Sequence, residues 1–328
     1  MTRETLSLLD DRFTFQTSGR FDLLIDEHVP YPQLGAADVD GALRKAIERA
    51  EGVIAVVGRV GSGKSSLIAA VADGLDEGFV PLRVSVIGIE AGDPVAFIRH
   101  AITEIRDLPQ IHLTQHEERA LDRAAAEHRT TGRAHQLRAG GELGAGHILT
   151  AKVIGEIQTA ASEELQRATD PAEAMSGMQR LLDTFWKIMR CPVLIVEDTD
   201  HWSNAPETAD RFFDQTARAF VNLDGVMVIA TQSDYAKLDG YRRVRERLTA
   251  EVSLPKLPNA VAGLATVLEH RMLSSEVDGP LDEILEPPGL ELLAQSYLAS
   301  THEEAAGDLR HTLAVMRTAI DVALAKVC

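Results

Sequence analysis

The sequence predicts an α/β fold, a parallel sheet sandwiched by helices and followed by an all-α C-terminal segment. Three observations carry that prediction. Short unbroken apolar runs alternate with helical patterns from Asp40 to about Ala230. The first run, Val53 to Val57, opens directly into a glycine-rich turn that leads into a helix. From Pro258 onward only helical patterns occur, at Val261 to Leu273, Leu281 to Leu285, Gly289 to Ala299 and Asp308 to Val327.

Taken in order, the stretch up to about Pro32 has scattered apolar residues, a Tyr31-Pro32 breaker and no period, and reads as an irregular or short-strand lead-in. Leu43, Ala46, Ile47 and Ala50 recur at helical spacing, with Gly52 where a C-cap is expected. Val53 to Val57 is apolar throughout and bounded by glycine, the pattern of a strand covered on both faces of a parallel sheet. Lys64 to about Leu75 reads as helix, Leu82 to Ile89 as strand, and Pro94 to Ile105 as a helix with Pro in its first turn.

Residues 108–170 break the rhythm, with a charged helical stretch (His116 to Arg138) and then a run of turn formers, and read as an insertion on the core. Alternation resumes with helix at Pro171 to Met189, strand at Pro192 to Val196, helix at Glu207 to Leu223 and strand at Val226 to Ala230.

Composition narrows the class. With 45% hydrophobic and 25% charged residues over 328 positions, the chain matches an ordinary globular protein of one large α/β domain and a smaller one. No apolar run approaches a membrane span and Met1 to Thr5 lacks a signal-peptide pattern, which predicts a cytoplasmic protein with no membrane partner. Cys191 and Cys328 are expected to be free thiols. A net charge of −17 opposes contact with nucleic acid phosphates except at a local basic patch, for which Arg242, Arg243, Arg245 and Arg247 are the candidates.

The chemistry is concentrated in Gly58-Arg59-Val60-Gly61-Ser62-Gly63-Lys64-Ser65, a complete Walker A pattern between a predicted strand and a predicted helix. Its glycines let backbone N–H groups converge on phosphates at a helix N-terminus. Lys64 is expected to reach the β and γ phosphates and Ser65 to ligate Mg²⁺, with Ser66 completing the binding set. ATP or ADP with Mg²⁺ is the expected ligand.

Such a site needs a second strand ending in carboxylates, and Val193-Leu-Ile-Val-Glu197-Asp198 fits, making both acids candidates for Mg²⁺ ligation and for catalysis beside Lys64. The usual order is aspartate then glutamate. Here it is reversed, which leaves the division of roles open and allows slow hydrolysis. Thr231, Gln232 and Ser233, at the polar end of the next strand, are candidate sensors of the γ phosphate.

These motifs, together with Gly307-Asp-Leu-Arg310 in the last helical segment and Val252 to Pro258 as a hinge, resemble the AAA+ ATPases. Within them the likeness is to the Orc/Cdc-like initiator, TnsC-like and STAND-related clade. The resemblance implies a lead-in at 1–35, a nucleotide-binding core at 36–256 and a helical lid at 257–328. Arg310 would act as sensor 2, reaching the phosphates from the lid, and Arg245 or Arg247 would complete a neighbouring subunit's site in a homo-oligomer.

Initiators of this clade continue into a winged helix after the lid, whereas this sequence ends at Cys328. The implied function is therefore an ATP-hydrolysing switch within a multiprotein assembly of the phage-defence or mobile-element kind, partnered by an effector or a nuclease- or transposase-type subunit. Two alternatives stand beside it. One is a DNA-loaded TnsC-like regulator, and the other is a nucleotide-dependent scaffold that hydrolyses little.

Overall fold

The computed structural model describes residues 21–89, 92–104, 170–187, 190–277, 279–299 and 307–327. The predicted insertion at 108–170, apart from Asp170, and its charged helical stretch lie outside these residues.

Among the described residues five strands form one sheet: β1 (Gly52–Gly58), β2 (Phe79–Ser85), β3 (Cys191–Glu197), β4 (Val226–Gln232) and β5 (Ala250–Ser253). Every pairing is parallel and the order across the sheet is β2-β3-β4-β1-β5. The central strands β3 and β4 are buried at all seven positions, which is why their sequences are apolar without alternation.

Edge position explains two departures from the predicted strands. β2 starts at Phe79, earlier than expected, and carries Pro81, tolerated because the strand pairs only with β3 and the missing N–H can face outward. It ends at Ser85 because the chain turns there, with Ile89 N–H bonded to the Val86 carbonyl and Gly88 at φ 89°. β5 pairs with the other edge of β1 and runs into the stretch read as a hinge, which it overlaps at Val252 and Ser253. Only one of its four residues is buried, too few to show as an apolar run.

Before the sheet come α1 (Phe21–Asp26), a 3-10 turn at Tyr31–Leu34 and α2 (Val39–Ile47). The described part of the lead-in is therefore helical rather than strand-like, its six-residue helix being too short to show a period, and residues 1–20 lie outside the described residues. Asp38 caps α2 by accepting from Gly41 N–H at 2.8 Å. The helix stops at Ile47, and Gly52, at φ 87°, opens β1 instead of capping α2.

Helices α3 (Lys64–Asp73), α4 (Pro94–Glu104) and α5 (Pro171–Lys187) follow β1 and β2, and α6 (Pro206–Arg211) follows β3. α6 runs into a π-helical turn at Phe212–Ala217 and then α7 (Arg218–Phe220), so the expected single helix is interrupted. The wider turn accommodates consecutive Phe212 and Phe213, both fully buried, within an aromatic stack that includes Phe97, Trp202 and Tyr241. Then come α8 (Asp239–Arg245) and four C-terminal helices, α9 (Ala260–Ser274), α10 (Leu281–Ile284), α11 (Pro287–Ala299) and α12 (Leu309–Val327).

Successive strand residues face opposite sides of the sheet and split the core in two. Ile54, Val56, Ile195 and Val228 pack with α2, α3 and the C-terminal helices in one apolar cluster. Val53, Ala55, Leu194, Val196 and Ile229 pack with α4, α5 and the π-helical segment in the other. Cys191 is a buried free thiol, pushed up to about 12 by burial and hence inert as a nucleophile. Among the described residues no helix is long and apolar enough to cross a membrane.

Helix α8 approaches α6 so closely that Gly240 N–H bonds Asp210 Oδ1 at 2.6 Å, and a β-carbon at Gly240 would collide with the Asp210 carbonyl oxygen. Gly240→Ala is expected to cost about 1–3 kcal/mol of stability through overpacking. Urea denaturation should show a lower midpoint at unchanged slope, and an unchanged midpoint would mean that this helix contact is loose.

Candidate functional site

The carboxyl ends of β1 to β4 open on one cleft, the place where parallel α/β sheets present their ligand sites. Its floor is the loop from Val60 to Ser66, and its walls include Arg83, Glu197, Asp198, Asp200 and Ala230 from the sheet and Arg310 from α12.

The loop backbone is left-handed at Gly61 (φ 75°) and Gly63 (φ 94°), conformations in which glycine is unstrained, and Gly63 leads straight into α3. The amides at the start of α3 therefore converge on the cleft. Lys64 Nζ folds over the loop, donating to the carbonyls of Gly58 at 3.0 Å and Arg59 at 2.7 Å. Burial is the main force lowering its pKa to about 8, with Arg310 pushing the same way and Asp200 and Asp308 opposing. A polyanion at this point would favour the charged lysine.

Glu197 ends β3 with its side chain only 3% exposed. Arg83, reaching across from β2, donates to Oε2 through both Nε (2.7 Å) and Nη2 (2.5 Å). The other oxygen, Oε1, is buried with no hydrogen-bond partner in the protein. Burial raises the carboxyl above its ordinary range, while the Arg83 guanidinium and the Ser65 hydroxyl favour ionisation and Asp198 opposes it. An orphan carboxylate oxygen near the Ser65 hydroxyl is the donor arrangement Mg²⁺ uses, one or two protein oxygens with the remainder supplied by phosphate and water. Among the described residues no group of three His, Cys, Asp or Glu could hold a metal unaided, so the donors fit magnesium bound jointly with a phosphate ligand.

Asp198 adopts the left-handed conformation at φ 58°, uncommon for a non-glycine residue, and its Oδ2 accepts from Ser85 Oγ at 2.6 Å. The register that sets Ser85 opposite Glu197 makes this bond possible. The sharp turn at Asp198 brings Asp200 back to the cleft wall. Tyr235 Oη donates to the Thr199 carbonyl at 2.5 Å and the Thr199 hydroxyl to the Ala230 carbonyl, tying this turn to β4.

The C-terminal helices reach the cleft through Asp308. It caps α12, accepting from His311 N–H at 2.8 Å, and lies so close to Gly61 that a β-carbon there would collide with its carboxylate. Arg310 N–H bonds the Gly61 carbonyl at 3.2 Å. Gly307, just before Asp308, packs against α11, where a β-carbon would stand 2.5 Å from the Tyr297 ring.

Val60 to Ser66, Glu197, Asp198 and Arg310 thus line one cleft, while Gly58 and Arg59 stand behind it, their carbonyls held by Lys64 Nζ. The strand-end polar residues do not line it. Thr231 is buried with its hydroxyl on the Ile229 carbonyl (3.2 Å), Gln232 bonds Ser203 (2.8 Å) and Ser233 begins a 3-10 turn; none of the three lines the cleft, which β4 reaches through Ala230. Arg245 and Arg247 also stand away from it. Arg245 grips Glu251 with two nitrogens at 2.8 and 2.9 Å. Arg242 and Arg243 pair with Asp239 and Asp214, so much of the predicted basic patch is locally neutralised.

Sequence reasoning passed over Arg83, although a lone cation in an otherwise apolar strand was its signal. It also passed over the stretch from Leu24 to Leu34, which forms the far wall of the cleft with Val267, Arg271 and Leu313.

The cleft, its loop and the parallel sheet together make this an α/β P-loop nucleoside triphosphatase fold. No protein-family model matches the chain. No curated protein matches it either. Among solved structures it is similar to the ORC2 protein of Aeropyrum pernix, determined as ADPNP-ADP complexes, with a TM-score of 0.49 and 15% identity. That similarity covers 88% of this chain and 63% of the other, so this chain spans less than two thirds of its length.

Arg83 favours the ionised form of Glu197, so its removal should let the carboxyl hold its proton to higher pH. In Arg83→Met, carbon-13 NMR of the Glu197 carboxyl, assigned against Glu197→Gln, should show titration shifted upward from wild type. An unchanged titration would mean that the pair is electrostatically idle.

Proposed function

We propose that the chain is an ATP-binding and ATP-hydrolysing switch of the AAA+ type, with Mg²⁺ as its cofactor. One observation carries the reading: the loop lysine, an orphan buried carboxylate oxygen on Glu197 and the α12 arginine line one cleft although they lie far apart in sequence. In this reading the loop amides and Lys64 hold the β and γ phosphates, and Arg310 contacts them from the lid segment that begins at Leu257. Ser65 and Glu197 hold the metal. Magnesium, when bound, supplies charge neutralisation on the phosphates.

The reversed acid order then has a division of labour. Glu197, buried beside Ser65, serves the metal. Asp198, fixed by Ser85 and aimed by its left-handed backbone, is the residue to orient and deprotonate the attacking water. Lys64 and Arg310 stabilise the charge that builds on the transferred group.

A specific observation also favours the second reading, a nucleotide-dependent scaffold with little hydrolysis. Glu197 is held by Arg83 and Asp198 by Ser85, so both acids are engaged before any ligand enters. Self-association, with Arg245 or Arg247 supplied to a neighbour, and service to an effector, nuclease-type or transposase-type partner in phage defence or mobile-element biology rest on the family resemblance.

Turnover and particle mass, measured for wild type and Lys64→Ala with and without duplex DNA, test the proposal. ATP should drive assembly and turnover, and Lys64→Ala should lower turnover on the order of 100-fold, as loss of a preorganised transition-state donor does. Wild-type binding without turnover would select the scaffold, and salt-sensitive stimulation by DNA would select a DNA-loaded regulator. Absence of nucleotide binding would overturn the reading.

A further inference from the structure

The far wall of the cleft is built from a strap, residues 24–34, clamped between the P-loop helix and α9. On one side His28 Nε2 lies 2.6 Å from Asp40 Oδ1, Tyr31 N–H donates to Asp40 Oδ2 at 2.9 Å, and Tyr31 Oη donates to the Ser62 carbonyl at 3.4 Å. On the other, the Asp26 carbonyl accepts from His270 Nε2 and Ser274 Oγ, both at 2.8 Å. Between these anchors Glu27 Oε1 meets Arg271 Nη1 at 2.7 Å, with the two side chains only 15% and 8% exposed.

The second oxygen of Glu27 is left over. Oε2 is shut off from solvent and has no hydrogen-bond partner in the protein, although Glu27 lines the same cleft as the P-loop. A buried acceptor in that state costs free energy until a donor reaches it. Burial accordingly pushes the Glu27 carboxyl upward, with Arg271 opposing. Around it Val29, Leu34, Val267, Leu309 and Leu313 give the cleft apolar walls suited to a flat ring.

We propose that Glu27 is a base-specificity residue, whose free oxygen accepts a hydrogen bond from the exocyclic amine of an adenine base while Arg271 faces the neighbouring ring nitrogen. The inference rests on the nucleotide reading of the cleft and extends it to the opposite end of the ligand. The pattern is selective. One free carboxylate oxygen beside a cation matches an amine next to an unprotonated ring nitrogen, as in adenine. Guanine places two N–H donors side by side, and the second would confront Arg271. A carboxylate with both oxygens free would suit guanine, but here Arg271 has taken one.

Competition against a fluorescent ATP analogue, on the full chain with Mg²⁺, tests this with four ligands: ATP, purine riboside triphosphate (the same molecule without the amine), GTP and inorganic tripolyphosphate. Wild type should prefer ATP over purine riboside triphosphate by about tenfold or more, the usual worth of a hydrogen bond to a charged group. The double variant Glu27→Leu with Arg271→Met replaces the buried pair by apolar groups of similar length, a change such pairs tolerate. It should bind the two nucleotides within about threefold of each other and leave tripolyphosphate affinity unchanged. Equal wild-type affinity with and without the amine, or GTP binding as tightly as ATP, would overturn the inference and leave the nucleotide site standing. That arm needs no variant, so a folding failure in the double variant does not blunt the test. If neither tripolyphosphate nor any nucleotide binds, the nucleotide reading itself falls.

Discussion

The contact on which the cleft depends is the approach of α12 to the P-loop, permitted by a β-carbon that is absent at Gly61. Asp308 occupies the space that side chain would fill. Because Asp308 also caps α12, one carboxylate fixes both the start of the helix and its distance from the loop. Arg310 is two residues further on, and its backbone amide is bonded to the Gly61 carbonyl. A positively charged side chain is thereby delivered to the P-loop by local capping geometry and one close backbone approach.

Electrostatics follow from that placement. Lys64 and Arg310 are brought into mutual repulsion, moderated by Asp200 and Asp308. Two cations held together by a scaffold and only partly offset by carboxylates form a site pre-organised for a polyanion, because the repulsion is already present before binding and is relieved by it. Glu197 stands on the β3 side of the cleft. Its charge is supported by Arg83 on one oxygen, while the other is buried without a partner in the protein.

Legibility in the sequence tracked how local each determinant is. The loop from Gly58 to Ser65 and the apolar strands β1, β3 and β4 declare themselves over five to eight residues, because a phosphate cradle and a strand covered on both faces each need a contiguous pattern. β5 and the start of β2 did not, since edge strands bury few side chains and tolerate proline. The polar end of β4 shows a different limit. Residues there alternate across the sheet, so moving one position from Thr231 to Ala230 decides which reaches the cleft, and composition cannot fix that register. Arg83 acts through a partner more than a hundred residues away, and the strap joins near partners such as Asp40 to ones nearly 250 residues off, as with Asp26 and Ser274.

The strap also bears on how a switch of this architecture could work. A ligand shifts a conformational equilibrium only by the difference in its contacts with the two states. A site confined to the P-loop would bind nucleotide without preferring any lid position. Here the strap is bonded to the P-loop through Tyr31 and to α9 through Asp26 and Glu27, while α12 touches the loop independently at Gly61. A nucleotide spanning the cleft would touch three segments that these bonds and a shared apolar cluster hold together. Each additional 1.4 kcal/mol of contact made solely when they are together multiplies the closed population about tenfold. In the function proposed above, coupling between nucleotide and α12 would be set by the strap and the Gly61 contact more than by the affinity of the P-loop itself.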